Sequence, residues 1–130
     1  MKAQLPELKL LTKELQRRRD ICEEKMRSVL ASSYLYLGLL AKRDGDSAKA
    51  IEHTRVSLSV DPDFHLAYYN LGVIYQDIGD VNGMMESFRN ATRLSPNDQK
   101  SWNGLGDAFH KMGMVREAEN AYDIAKSLTE

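Results

Sequence analysis

The chain has 130 residues, a formal net charge of −1 and a single cysteine. That length supports one domain with a real core, the balanced charge gives no bulk attraction to nucleic acid, and one cysteine excludes an internal disulfide. No run of 18 apolar residues occurs and Glu7, Lys9, Lys13 and Glu14 interrupt the first leucines, which excludes a spanning helix and a signal-peptide core and sets a cytoplasmic location as the expectation.

Residues 1–30 read as a helix. Between Pro6 and Gly38 stands neither glycine nor proline, and Leu8, Leu11, Leu15, Cys22, Met26 and Val29 trace a helical stripe interrupted at Arg18. This N-terminal segment is expected to cap or to oligomerise. Either it covers the unit that follows, or it runs straight into that unit, or it swings out to pair with another copy. Arg17, Arg18 and Arg19 are flanked by Asp20, Glu23 and Glu24, so pairing along the helix accounts for them better than phosphate contacts. No nucleic-acid partner and no membrane partner is expected.

From residue 31 the chain repeats itself every 34 residues. Tyr34, Tyr68 and Trp102 share one frame, as do Leu37, Leu71 and Leu105, and Gly38, Gly72 and Gly106. A second glycine follows seven later: Gly45, Gly79 and Gly113. Next come Ala50, Met84 and Ala118, then Thr54, Phe88 and Tyr122, then Ser57, Ala91 and Ala125, with Pro62 and Pro96 near the close. A fixed period of this length marks a solenoid whose units cannot bury their apolar faces alone.

Each unit reads as two helices. The first glycine lies inside the first helix and costs about 1 kcal/mol against alanine, tolerable if another helix approaches there. Ala50 and Ala118 are expected to face it, and Met84 would then spread the middle unit or bend aside. The second glycine ends the first helix. Asp46 and Asp80 suit the cap of the second, Pro62 and Pro96 stop it, and Asp63, Asn97 or Asp98 suit the next cap.

These residues resemble the tetratricopeptide repeat, a motif of the form W-x2-L-G-x2-Y followed by alanine, an aromatic, alanine and proline. The third unit matches at Trp102, Leu105, Gly106, Phe109, Ala118, Tyr122 and Ala125. The second matches at Tyr68, Leu71, Gly72, Tyr75, Phe88, Ala91 and Pro96, with Met84 in place of alanine. The first keeps Tyr34, Leu37, Gly38, Ala50 and Pro62 but has Ala41, Thr54 and Ser57 at usually aromatic, aromatic and alanine positions. The resemblance implies an all-α, right-handed solenoid of three helix-turn-helix repeats (31–64, 65–98 and 99–130), with residues 1–30 as an extra N-terminal helix.

It also implies a concave groove lined by the first helix of each repeat. By register those positions are Ser32, Leu35, Leu39 and Lys42, then Leu66, Tyr69, Val73 and Gln76, then Lys100, Asn103, Asp107 and His110. Asn70 joins them, because members that clamp a partner's terminal carboxylate use an asparagine there. The rest of that clamp is missing except Lys100: Leu35, Leu39 and Gly104 occupy its other places. No strong preference for a free C-terminal carboxylate is therefore expected. Left in water, each large apolar groove residue forfeits about 1.5–3 kcal/mol of burial. Either a partner's amphipathic helix or apolar peptide covers the groove, or residues 1–30 of this chain or a neighbour do.

Chemistry has few candidates. His53, His65 and His110 fall at different repeat positions, and neither H-x3-H nor C-x2-C occurs, so no metal site is expected. Asp77–Glu86 resembles a calcium loop but lacks its spacing. No phosphate loop and no G-x-S-x-G appears, and Cys22 is expected to be packed on its stripe. The reading is a scaffold or adaptor with no catalytic residues and no cofactor. Its partner is another protein or peptide, and a homo-oligomer through the N-terminal helix or through an uncapped C-terminal end at Tyr122, Ile124 and Leu128 is a further expectation. The alternatives are a small chaperone, resembling bacterial secretion chaperones, that holds an apolar client segment, or a self-assembling structural protein.

Overall fold

The computed structural model describes residues 4–129 and contains six α-helices among them: α1 Gln4–Arg43, α2 Ser47–Val60, α3 His65–Ile78, α4 Val81–Leu94, α5 Gln99–Lys111 and α6 Val115–Ser127. From α2 onward they are 13 or 14 residues long and alternate as the period demands. The first helix does not. It runs 40 residues without a break, joining the N-terminal segment to the first repeat. Nothing between Pro6 and Gly38 can stop it, and Glu14 supports it by pairing with Arg17 at 3.6 Å and Arg18 at 3.3 Å. Its residues 5–30 face solvent, Glu14 being half-buried. Residues 5–30 therefore neither cap the first repeat nor fold back into its own groove. They leave the body as an arm.

The turns follow local chemistry. Gly45, Gly79 and Gly113 take φ of 81°, 81° and 78°, a left-handed backbone that a side chain would strain. Asp46 accepts the Lys49 N–H at 3.1 Å and Asp80 the Gly83 N–H at 3.0 Å, each satisfying an orphan donor of the following helix. The third turn has Met114 at that place and no side-chain cap. Asp63 does not cap α3; Phe64 holds that position, while Asp61 accepts the N–H of Asp63 at 3.1 Å. Asp98 stands at the start of α5 but takes the Ser101 hydroxyl at 2.6 Å rather than a backbone donor.

Two layers result. Helices α1, α3 and α5 touch in sequence, and α2 and α4 each pack on the first helix of their own and the next repeat. Among the described residues α2, α4 and α6 do not meet one another. The layer of first helices is thus the compressed, inner side of a curved stack.

The core centres on Met84, Phe88, Leu105 and Ala108, with Tyr69, Val73 and Trp102 against it. The glycines inside the first helices face a side chain not expected there, although Gly38 also meets the expected Ala50, whose carbonyl would lie 3.3 Å from its Cβ. A Cβ at Gly38 would meet the Thr54 hydroxyl at 2.5 Å, one at Gly72 the Phe88 ring at 2.8 Å, and one at Gly106 the Tyr122 ring at 2.7 Å. The facing side chain lies 16 positions on, and only at Gly38 does the residue 12 on, Ala50, also come close. Met84 therefore needs no accommodation from Gly72 and is fully buried in the core.

Candidate interaction groove

The inner layer exposes one line of side chains per first helix, spaced three or four residues apart so that they share a face. On α1, Ser32 is exposed, Leu39 is 44% exposed, and Leu35 and Lys42 are half-buried. On α3, Leu66 is 48% exposed while Tyr69, Val73 and Gln76 are half-buried. Tyr69 and Val73 lean on the core, the Tyr69 ring lying 5.6 Å from that of Phe88. On α5, Lys100, Asn103 and His110 are exposed and Asp107 is half-buried. The α1 and α3 lines are mainly apolar, and the α5 line is polar.

Two expected groove residues are already engaged. Asn70 is 5% exposed and its side-chain amide donates to the Thr54 hydroxyl at 3.2 Å. Thr54 in turn donates to the Ala50 carbonyl at 2.7 Å. Asn70 thus bolts α3 to α2 and does not present itself to the groove. Asp107 accepts the phenol of Tyr122, which reaches it past Gly106 from α6. Burial first, and the adjacent carboxylate second, push the Tyr122 hydroxyl up to about 12.

The Asn70–Thr54 bond escaped the sequence reading although its signal was there. Positions 54 and 70 of the first junction correspond to Phe88 and Gly104 of the second, 34 residues on. A Cβ at Gly104 would meet the Phe88 ring at 2.6 Å. One junction is closed by a small hydroxyl and an amide, the other by a ring and a vacant Cβ. The odd residues at 54 and 104 are therefore one compensated exchange.

Cys22, expected to be packed, is exposed, since no described element lies over its stripe. Among the described residues no group of three or more histidines, cysteines or carboxylates converges on a point. None of their helices is long and apolar enough to cross a membrane.

Residues 65–98, the span from α3 to the turn after α4, match the family model described as the tetratricopeptide repeat. Photosystem I assembly protein Ycf3 of Synechococcus sp. strain CC9605 is 29% identical over 102 residues, covering 76% of this chain and 59% of that protein. The chain thus spans about three fifths of the length of that curated relative. In fold it is similar to the crystal structure of MamA, with a TM-score of 0.74 and 21% identity over 76% of this chain and 58% of that one. It is also similar to the second such domain of Spaghetti (RPAP3) bound to the HSP90 peptide SRMEEVD, with a TM-score of 0.75 and 20% identity over 80% of this chain and 98% of that one. Period, paired helices, turn glycines and family match agree: the chain is a tetratricopeptide-repeat protein with an all-α solenoid fold.

Proposed function

We propose that this protein is a non-catalytic interaction module, a scaffold or adaptor whose inner groove receives an amphipathic helix or an extended apolar peptide of a partner protein. One observation carries the reading. Leu39 and Leu66, each close to half exposed, stand on touching helices beside half-buried Leu35, Tyr69 and Val73. Apolar area of this kind gains when a partner's apolar face removes it from water. The reading needs no cofactor, and a cytoplasmic location is part of it.

The groove is not built for a terminal carboxylate. Leu35 and Leu39 replace cationic and amide donors, Gly104 leaves no side chain, and the Asn70 amide serves Thr54. The similarity to a domain that holds SRMEEVD is therefore one of fold, and this chain selects apolar contacts instead.

The test is fluorescence anisotropy with two probes: a panel of labelled amphipathic helical peptides, and SRMEEVD. The amphipathic peptides bind, and Leu39→Asp with Leu66→Asp weakens them at least tenfold. Tight capture of SRMEEVD, lost when its carboxylate is amidated, would overturn the proposal. A second reading, a chaperone or assembly factor holding apolar client segments, draws on the relatives named for photosystem I assembly. It predicts that the panel binds broadly, whereas an adaptor takes one sequence.

A further inference from the structure

Where α2, α3 and α4 meet, the repeats leave a cleft of about 210 Å³, walled by Arg55, Tyr75, Gly83, Glu86, Ser87 and Asn90 among others. No residue assigned to the groove lines it. One junction on, 34 residues later, the corresponding places hold Arg89, Phe109, Glu117, Asn120, Ala121 and Ile124. A phenol, a hydroxyl and an amide thus stand where the next junction has a phenyl ring, a methyl and an aliphatic chain. Gly83 makes room for them. A Cβ there would meet the Tyr75 ring at 2.8 Å, whereas the third repeat has Glu117 at that place.

The wall holds unspent donors and two unspent charges. Arg55 donates to the Tyr75 phenol oxygen at 2.6 Å. A guanidinium accepts nothing, so the Tyr75 O–H keeps its own proton for another partner. Ser87 is 4% exposed and belongs to the wall. Its hydroxyl takes no part in the hydrogen bonds of the described residues, and since no sealed side-chain polar atom among them lacks a partner, it opens on the cleft. Arg55 and Glu86 carry opposite charges on the same cleft without pairing. Among the described residues the ion pairs lie at Glu14, Asp20 and Asp44 instead.

We propose that this cleft binds a free α-amino acid as its zwitterion. The carboxylate takes the remaining Arg55 N–H groups together with the Tyr75 and Ser87 hydroxyls, and the ammonium meets Glu86 and the side-chain oxygen of Asn90. Each of these bonds has a charged member and is stronger for it. An anion without an ammonium would gain Arg55 but leave Glu86 facing it unanswered, and a simple amine would do the reverse. The volume is below the ~300–1,000 Å³ of sites for drug-sized ligands, which suits a molecule this small. The site shares no residue with the groove, so this inference stands or falls apart from the proposed function.

Amide correlation spectra of the full chain, titrated with the common L-amino acids one at a time at millimolar concentration, give the first readout. At least one shifts the amides of Arg55, Tyr75 and Ser87 saturably. Acetylating its amine or amidating its carboxylate weakens it at least tenfold, the loss expected for one charge-assisted bond. No shift with any of them overturns the proposal, and so do blocked forms that bind as well as the free one. Ser87→Ala with Asn90→Ile copies the third repeat, so the chain stays folded by its Trp102 melting transition while binding falls at least tenfold; undiminished binding overturns the assignment. Glu86→Gln, on an exposed residue, separates the two charges. It removes the advantage of the free amine over its acetylated form, and an advantage that persists refutes the role given to Glu86 and with it the zwitterion.

Discussion

Phe88 lies between two helices that each lack a Cβ where its ring passes: α3 at Gly72 and α5 at Gly104. Gly104→Ala tests this directly. Alanine favours a helix by about 1 kcal/mol over glycine, but here its methyl would start 2.6 Å from the ring. Overpacking of this sort costs about 1–3 kcal/mol, so net destabilisation in urea denaturation is the expected outcome. Phe88→Thr with Gly104→Asn rebuilds the chemistry of the first junction and should be milder than the sum of its parts in a double-mutant cycle; strict additivity would refute the exchange. Tyr122 offers a pH-dependent test. Its folded hydroxyl titrates at about 12, against an ordinary value near 10. The protonated form is thus favoured by folding, and that contribution is complete below about pH 10 and lost as pH rises from about 10 towards 12. Wild type exceeds Tyr122→Phe in stability at neutral pH, and the gap narrows across that window. A constant gap would mean that folding does not raise the Tyr122 pKa.

Elements in this chain are set mostly by their ends. Asp80 accepts the Gly83 N–H at 3.0 Å at the start of α4, and Asp80→Ala should cost about 1 kcal/mol, read as a lowered melting temperature. An unchanged melt would show that tertiary packing alone holds that helix start. Such signals are readable because they act within a few residues: the glycines at 45, 79 and 113 and the aspartates at 46 and 80 took the roles their chemistry suggests. The junctions between α2 and α3 and between α4 and α5 were less readable. Phe64 displaced Asp63 as the α3 cap, and Asp98 turned to Ser101, since a side chain near a helix start chooses among donors that only the folded turn brings within reach. The fusion of the N-terminal segment into α1 follows from the absence of any breaker, but its separation from the body does not. An amphipathic stripe says that something covers it, not which chain supplies the cover.

Across the whole molecule, curvature separates side chains that the register treats as equals. Leu39, Leu66, Val73 and Asn70 all carried the expectation of a groove residue. Leu39 and Leu66 are exposed, Val73 leans on the core and Asn70 is buried. Substitution should sort them. Leu39→Asp and Leu66→Asp leave stability within about 0.5 kcal/mol and lose peptide binding. Val73→Asp lowers stability by about 2 kcal/mol or more, because it brings a charge to the core margin. A large stability loss from Leu39→Asp or Leu66→Asp would mean that those leucines are covered within the protein itself. Binding results are then to be read only for variants that keep the Trp102 transition.

The 34-residue period determined the helices, the turns and the alternation of the two layers, because each depends on contacts within a repeat or on φ at a single glycine. Tertiary structure alone decided which side chain each interior glycine meets, that Asn70 serves Thr54 and Asp107 serves Tyr122, and that residues 5–30 face solvent. Those outcomes depend on how close two helix axes come and how the stack bends, which are properties of packed surfaces and not of any one segment.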